Sequence, residues 1–275
     1  MRHIQILLMG LLLASCAATE DIAVEGRDIQ VEDNVEPAAS LSGSPSVAGA
    51  LSSASPAYVT LTVSKGGNDS AIAKENWSKR AVTTGSGFIV DSSGFAMTAG
   101  HVAVEPGYLV SARAANGRLY SGKVVDVQRD NDMALIKLKS YKGKAVLAAA
   151  DTCLAKGTTV ISLGKPHEAG DTARIGKVEA MHFGRPVRYG AIGYSDAIVM
   201  RMDTQKGESG GPVLNQSGEL VGMVVSTLAD GNGRPLNLAH AVPAASLAQF
   251  LCAHASCSGN WAKLSNQSAQ SCPNS

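Results

Sequence analysis

Gly207-Glu208-Ser209-Gly210-Gly211-Pro212 runs directly into Val213-Leu214, a polar Asn215-Gln216-Ser217-Gly218 turn and a second apolar run from Leu220 to Ser226. Two architectures compete for this stretch. Its letters satisfy G-x-S-x-G, the elbow that holds a nucleophile between a strand and a helix in an α/β sheet, with acid and base downstream. Asp230 with His240 or His254 would be those partners. A Pro and a hairpin stand where the helix should begin, however, and no alternating strand–helix pattern surrounds them. The stretch therefore reads as a turn between strands, and the chain as an all-β protein.

The rest of the chain agrees. A first β-like run covers 58–63. Gly87-Phe88-Ile89-Val90 then meets the turn cluster Asp91-Ser92-Ser93-Gly94 and returns as Phe95-Ala96-Met97-Thr98, a hairpin pattern. Further runs fall at 108–112, 123–127, 133–138, 159–163, 175–181, 198–202, 212–214, 220–226 and 238–242. So many short strands indicate a sandwich or barrel. Only 244–253 reads as a helix, with Leu247, Phe250 and Leu251 on one face.

A formal net charge of +1 over 275 residues, with 17% charged residues, gives no footprint for a nucleic-acid partner. The first residues read as a targeting segment. Arg2 precedes an apolar run over 4–13, about half the ~20 residues that span a bilayer. Leu13-Ala14-Ser15-Cys16 resembles the lipobox of bacterial lipoproteins, which implies cleavage after residue 15 and a lipid anchor on Cys16. Ala17 is not the Asp that signals inner-membrane retention in such proteins, so the outer membrane is expected if the source is Gram-negative. Residues 16–56 are acidic first, then rich in Ala, Ser, Gly and Pro, and predict a flexible tether. The residues after 253 predict a loose tail. Cys153, Cys252, Cys257 and Cys272 would sit in an oxidising compartment, where disulfides are expected. Four cysteines allow three pairings. No Cys/His cluster has metal-ligand spacing, so neither metal nor cofactor is expected.

A hydroxyl becomes a useful nucleophile only beside a base and with donors facing the oxyanion that develops. Glycines around Ser209 let the backbone turn tightly, and the amides of Gly207 and Ser209 are the candidate oxyanion donors. Six histidines are present. His3 leaves with the signal segment, and His167, His182 and His254 lie in polar or loop-like contexts that predict solvated rings. His101 stands out at the end of the 87–98 hairpin.

Gly85-Ser86-Gly87-Phe88-Ile89-Val90, Thr98-Ala99-Gly100-His101-Val102, Asp132-Met133-Ala134-Leu135-Ile136-Lys137-Leu138 and the Ser209 loop together resemble the trypsin-like serine peptidases, in particular their bacterial HtrA-like branch. All four blocks stand in the family's order, across 57–253. The resemblance implies two six-stranded antiparallel β-barrels, about 57–145 and 146–253, with a short C-terminal helix and the active site in the cleft between the barrels. It implies that His101, Asp132 and Ser209 form a triad, acting on polypeptide substrates. Asp126 and Asp130 are the neighbouring acids; Asp132 directly precedes an apolar strand, as the family's acid does.

The departures matter as well. No Ile-Val-Gly-Gly start follows a basic residue, and Glu208 stands where trypsins carry the acid that pairs with a new N-terminus. The stretch after the last predicted helix is too short for the PDZ domain that HtrA proteins carry. Asp203, six residues before Ser209, matches the spacing of the trypsin acid that selects Lys or Arg at P1. His240 would stand on a pocket wall and favour acidic P1 residues instead. The expectation is a lipid-anchored, periplasm-facing endopeptidase. The rival from another class is a catalytically silent trypsin-like fold that serves as a binding module.

Overall fold

A computed structural model describes residues 45–65, 81–167, 170–267 and 272. The signal segment, Cys16 and the acidic part of the expected tether lie outside the described residues. Fourteen strands, β1 to β14, are present among the described residues. The strands β1 (Tyr58–Ser64), β2 (Ala81–Ile89), β3 (Phe95–Ala99), β4 (Leu109–Ala114), β5 (Leu119–Gln128) and β6 (Met133–Leu138) close a barrel in the order β1-β2-β3-β6-β5-β4. A second barrel takes β7 (Thr159–Gly164), β8 (Thr172–Ala180), β11 (Ile198–Arg201), β12 (Pro212–Leu214), β13 (Leu220–Ala229) and β14 (Pro235–Pro243), in the order β11-β14-β13-β12-β7-β8. Every pairing in both barrels is antiparallel. The all-β class and the pair of six-stranded barrels are as expected.

Closure removes the exposed edges that make short β sheets prone to aggregate. Inside the first barrel Leu61, Phe88, Ile89, Met97, Leu135 and Ile136 are fully buried. Each contributes about 1.5–3 kcal/mol through the apolar surface it removes from water. Val160, Met200, Val213, Val221 and Ala239 form the smaller core of the second barrel.

Three segments depart from the expectations. Helix α1 (Pro45–Ala54) occupies the end of the predicted tether, and it buries Val47, Ala50 and Ala54. Those positions share one helical face; their small side chains fit against Gly218, whose added Cβ would meet Ala50. Helix α2 is the single turn Gly100–Ala103, and α3 is Ala244–His254. The predicted loose tail contains α4 (Gly259–Ser265), with Leu264 fully buried and the Asn260 amide donating to the Ala148 carbonyl at 2.8 Å. Of the three possible cysteine pairings the chain makes Cys153–Cys272 and Cys252–Cys257. The first fixes the tail to the second barrel.

One hairpin belongs to neither barrel. Among the described residues, strands β9 (Val187–Tyr189) and β10 (Ile192–Tyr194) pair only with each other, between β8 and β11.

Candidate active site

The register of the first barrel brings His101 and Asp132 together. Ala99 on β3 pairs with Met133 on β6, so the residues leaving β3 and those entering β6 share one end of the barrel. Gly100 and His101 begin α2 there, and Asp132 is the residue before Met133. Asp132 is fully buried and adopts a left-handed conformation, φ 46°. That conformation is uncommon outside glycine and recurs where a site over-determines the backbone. Its carboxylate accepts the His101 backbone N–H at 2.9 Å and faces His101 Nδ1 at 2.9 and 3.1 Å from its two oxygens. The imidazole is about a third exposed. One edge of the pair is therefore dry and the other open.

Ser209 comes from the second barrel, on the loop before β12. Two glycines there have φ values that L side chains rarely adopt, Gly207 at 98° and Gly210 at 84°. An added Cβ on Gly210 would collide with the Thr98 hydroxyl and the Ser86 carbonyl, so the Ser209 loop lies directly on the segment that leads to His101. Gly85 makes a similar approach from β2. Its added Cβ would fall 2.7 Å from Val102, the neighbour of His101, and 3.2 Å from the Ser209 carbonyl.

Ser86 locks the loop across the barrels. Its backbone N–H donates to the Ser209 carbonyl at 2.9 Å, and its hydroxyl donates to the Gly207 carbonyl at 2.8 Å. On the far side the Gly210 amide donates to the Val224 carbonyl of β13 at 2.7 Å. Ser209 itself is half-buried. Among the described residues, no carbonyl accepts the amides of Gly207 or Ser209.

Glu208 is 1% exposed, between them in sequence. Its carboxylate accepts Arg174 Nε at 2.9 Å and the Gln205 amide at 2.6 Å. Glu208 is thus paired with a guanidinium of β8.

The proposed specificity residues are placed very differently. Asp203 lies just past β11 and is exposed. His240 sits on β14, opposite Val199 and Ser226, and is fully buried. Its Nδ1 is 2.8 Å from the Tyr194 hydroxyl, the Phe183 ring centroid is 4.3 Å away, and Nε2 has no hydrogen-bond partner among the described residues. Burial pushes its pKa down to about 4, against a smaller opposing pull from Asp196, so the ring is neutral at neutral pH. Of the histidines read as solvated, His167 is exposed. His182 is not: it pairs with Asp196 at 2.6 Å and with the Cys272 carbonyl at 2.7 Å. His254 pairs with Asp126 at 2.9 Å, whereas Asp130 is exposed and ion-paired with Arg188.

One neighbour of the site has no sequence signal. Tyr189, on the β9–β10 hairpin, donates its hydroxyl to Asp132 Oδ2 and sets its ring edge-on to His101, centroids 5.7 Å apart. Nothing in the polar, glycine-interrupted stretch around it marks a strand or a contact with the first barrel.

Residues 85–223 match the family described as "Trypsin-like peptidase domain". The chain is 31% identical over 175 residues to a "Probable periplasmic serine endoprotease DegP-like" of Brucella suis, an alignment covering 63% of this chain and 33% of that protein. It is 29% identical over 167 residues to "Periplasmic serine endoprotease DegP" of Escherichia coli K12, covering 60% and 34%. The chain thus spans about a third of the length of these relatives. Among solved structures, "HtrA-type protease AlgW with tripeptide" superposes with a TM-score of 0.58 at 23% identity, over 72% of this chain and 60% of that one. "HtrA-type protease AlgW with decapeptide" gives 0.59 at 21%, over 74% and 66%. At such identities the superpositions report on fold.

Proposed function

The chain belongs to the trypsin-like peptidase domain family, and from that premise we propose that it is a serine endopeptidase with His101, Asp132 and Ser209 as its triad. The observation that carries the proposal is the buried Asp132 carboxylate against Nδ1 of a partly exposed His101. Such contact fixes the tautomer that presents a basic Nε2 to solvent and substrate. In the proposed cycle His101 takes the Ser209 hydroxyl proton as Oγ attacks the peptide carbonyl. The amides of Gly207 and Ser209 stabilise the oxyanion. His101 then returns the proton to the leaving amine, and water attacks the acyl-enzyme by the same route. Polypeptides are the substrates, and no step calls for a metal or cofactor.

Asp203 and His240 are the proposed P1 determinants, with opposite preferences. A neutral, buried His240 offers no charge to an acidic side chain near pH 7. The exposure of Asp203 supports it as the group that would meet a basic one. Cleavage of a peptide library reads this directly: enrichment of Lys and Arg at P1 is expected, and a preference for Leu or Val would remove both residues from the account.

The cell envelope is the proposed location, facing the periplasm, with Cys16 acylated as the membrane anchor. Acyl labelling of the wild type, lost in Cys16→Ala, tests the anchor. The activity itself is tested with casein: hydrolysis by the full chain, abolished in Ser209→Ala, is the expected result. A folded wild type that leaves casein intact would favour the binding-module alternative.

A further inference from the structure

We propose that Tyr189 is a positioning residue for the catalytic acid, held in place by a hairpin outside both barrels that clasps the acid of the first. The proposal deepens the triad reading and rests on it for its kinetic consequence, though not for its geometry.

His101 alone leaves the Asp132 carboxylate under-determined. Nδ1 lies 2.9 Å from Oδ2 and 3.1 Å from Oδ1, so a single N–H is shared between two oxygens. A shared donor does little to set the rotation of a carboxylate about its Cβ–Cγ bond. Two further donors do set it. The His101 backbone N–H takes Oδ1, and the Tyr189 hydroxyl takes Oδ2. With one donor at each end, the carboxylate plane is fixed with the imidazole between them. The tyrosine is well suited to this task. Burial and the adjacent Asp132 charge hold its hydroxyl well above the ordinary phenol range, so it remains a donor throughout the working pH range. Its ring also covers one edge of His101.

The hairpin that carries Tyr189 is itself pinned. Arg188 pairs with Asp130 at 2.9 Å, and β10 lies against the turn 129–131 that leads into Asp132. At its other end Tyr194 shares its hydroxyl with Ser226 at 2.6 Å and His240 at 2.8 Å. Tyr189 therefore reaches Asp132 from a braced support, as a group that must fix geometry requires.

The test compares the full-length wild type with Tyr189→Phe, which keeps the ring and removes only the hydroxyl. Two readouts separate the present inference from the catalytic assignment. The first is the rate at which a fluorophosphonate labels Ser209, expected to fall about tenfold through loss of one hydrogen bond to a charged group. The second is the proton NMR signal of the His101 Nδ1–H, recorded in a Ser209→Ala background and expected to shift or broaden. Arg188→Ala removes only the exposed, outermost brace of the same hairpin, leaves its contacts through β10 and Tyr194, and is expected to keep the labelling rate within about twofold and the imidazole signal unmoved. An unmoved imidazole signal in Tyr189→Phe overturns the inference, as does an equal loss in Arg188→Ala. A wild type that never labels, with a signal that still moves in Tyr189→Phe, sinks the protease assignment and leaves the Tyr189–Asp132 contact standing.

Discussion

Asp132 and Glu208 are both buried carboxylates beside the proposed reacting groups, one in each barrel, and they are partnered in opposite ways. Asp132 faces the His101 imidazole, and it is approached by the Tyr189 hydroxyl from a hairpin outside both barrels. Glu208 faces the guanidinium of Arg174, which is always charged, and accepts the backbone amide of Gln205 from its own loop. The contrast separates two uses of a buried acid. In the proposed site Asp132 orients the general base. Glu208 is arranged to hold a loop still. The loop it holds carries the two amides that are left without carbonyl acceptors.

If that division is right, substitutions at the two acids fail in different ways. Asp132→Asn is expected to lower peptidase turnover by about 10⁴ while the protein stays folded with an unchanged urea midpoint. A variant that keeps more than a few per cent of wild-type turnover, or that unfolds, breaks the contrast from the first barrel's side. Arg174→Ala should instead cost stability. It strands a carboxylate that is 1% exposed, and breaking a buried pair costs about 3–5 kcal/mol; the low end applies because Arg174 is itself 22% exposed. Urea unfolding reads this loss, and an unchanged midpoint would show that Glu208 does not need its partner.

Smaller effects sharpen the comparison. Ser86→Ala removes the hydroxyl that grips the Gly207 carbonyl but keeps the backbone bond to Ser209. About 1 kcal/mol of stability and a several-fold drop in labelling rate are expected. Equal rates in the two proteins would mean that the loop needs no cross-barrel grip. The mildest test concerns pH. The folded pKa of His240, about 4, lies below the ordinary value near 6.5, so the unfolded chain takes up its proton first as pH falls. Stability from this residue is full above about pH 6.5 and is lost toward pH 4, on the order of 1 kcal/mol per pH unit. His240→Phe should flatten the slope over that window. A slope identical to wild type would show that another group titrates there.

What the sequence revealed follows the range of the interactions involved. The strands were visible because alternation and turn chemistry are local: the run 133–138 and the 87–98 hairpin emerge as β6 and as the meeting of β2 with β3. Closure into barrels came with the resemblance, since register between distant strands leaves little local mark. His101 and Ser209 stood out through their flanking glycines, whose φ values and close approaches the fold does use. Helix α1 was overlooked because Ala, Ser and Gly resemble a linker in composition, although Val47, Ala50 and Ala54 keep helical spacing. The bonds of His182 depend on Asp196 and on a tail residue ninety positions away, brought back by the Cys153–Cys272 bridge. Tyr189 is out of reach for the same reason: its partner is distant in sequence, on the first barrel, and a lone tyrosine in a polar stretch carries no periodic signature.

Mass spectrometry of the full chain after exposure to a fluorophosphonate offers the most direct trial of the two-barrel site. A single adduct on the peptide containing Ser209, absent in Ser209→Ala and nearly so in Asp132→Asn, is the predicted outcome. An adduct on another serine, or none on a folded wild type, would contradict it.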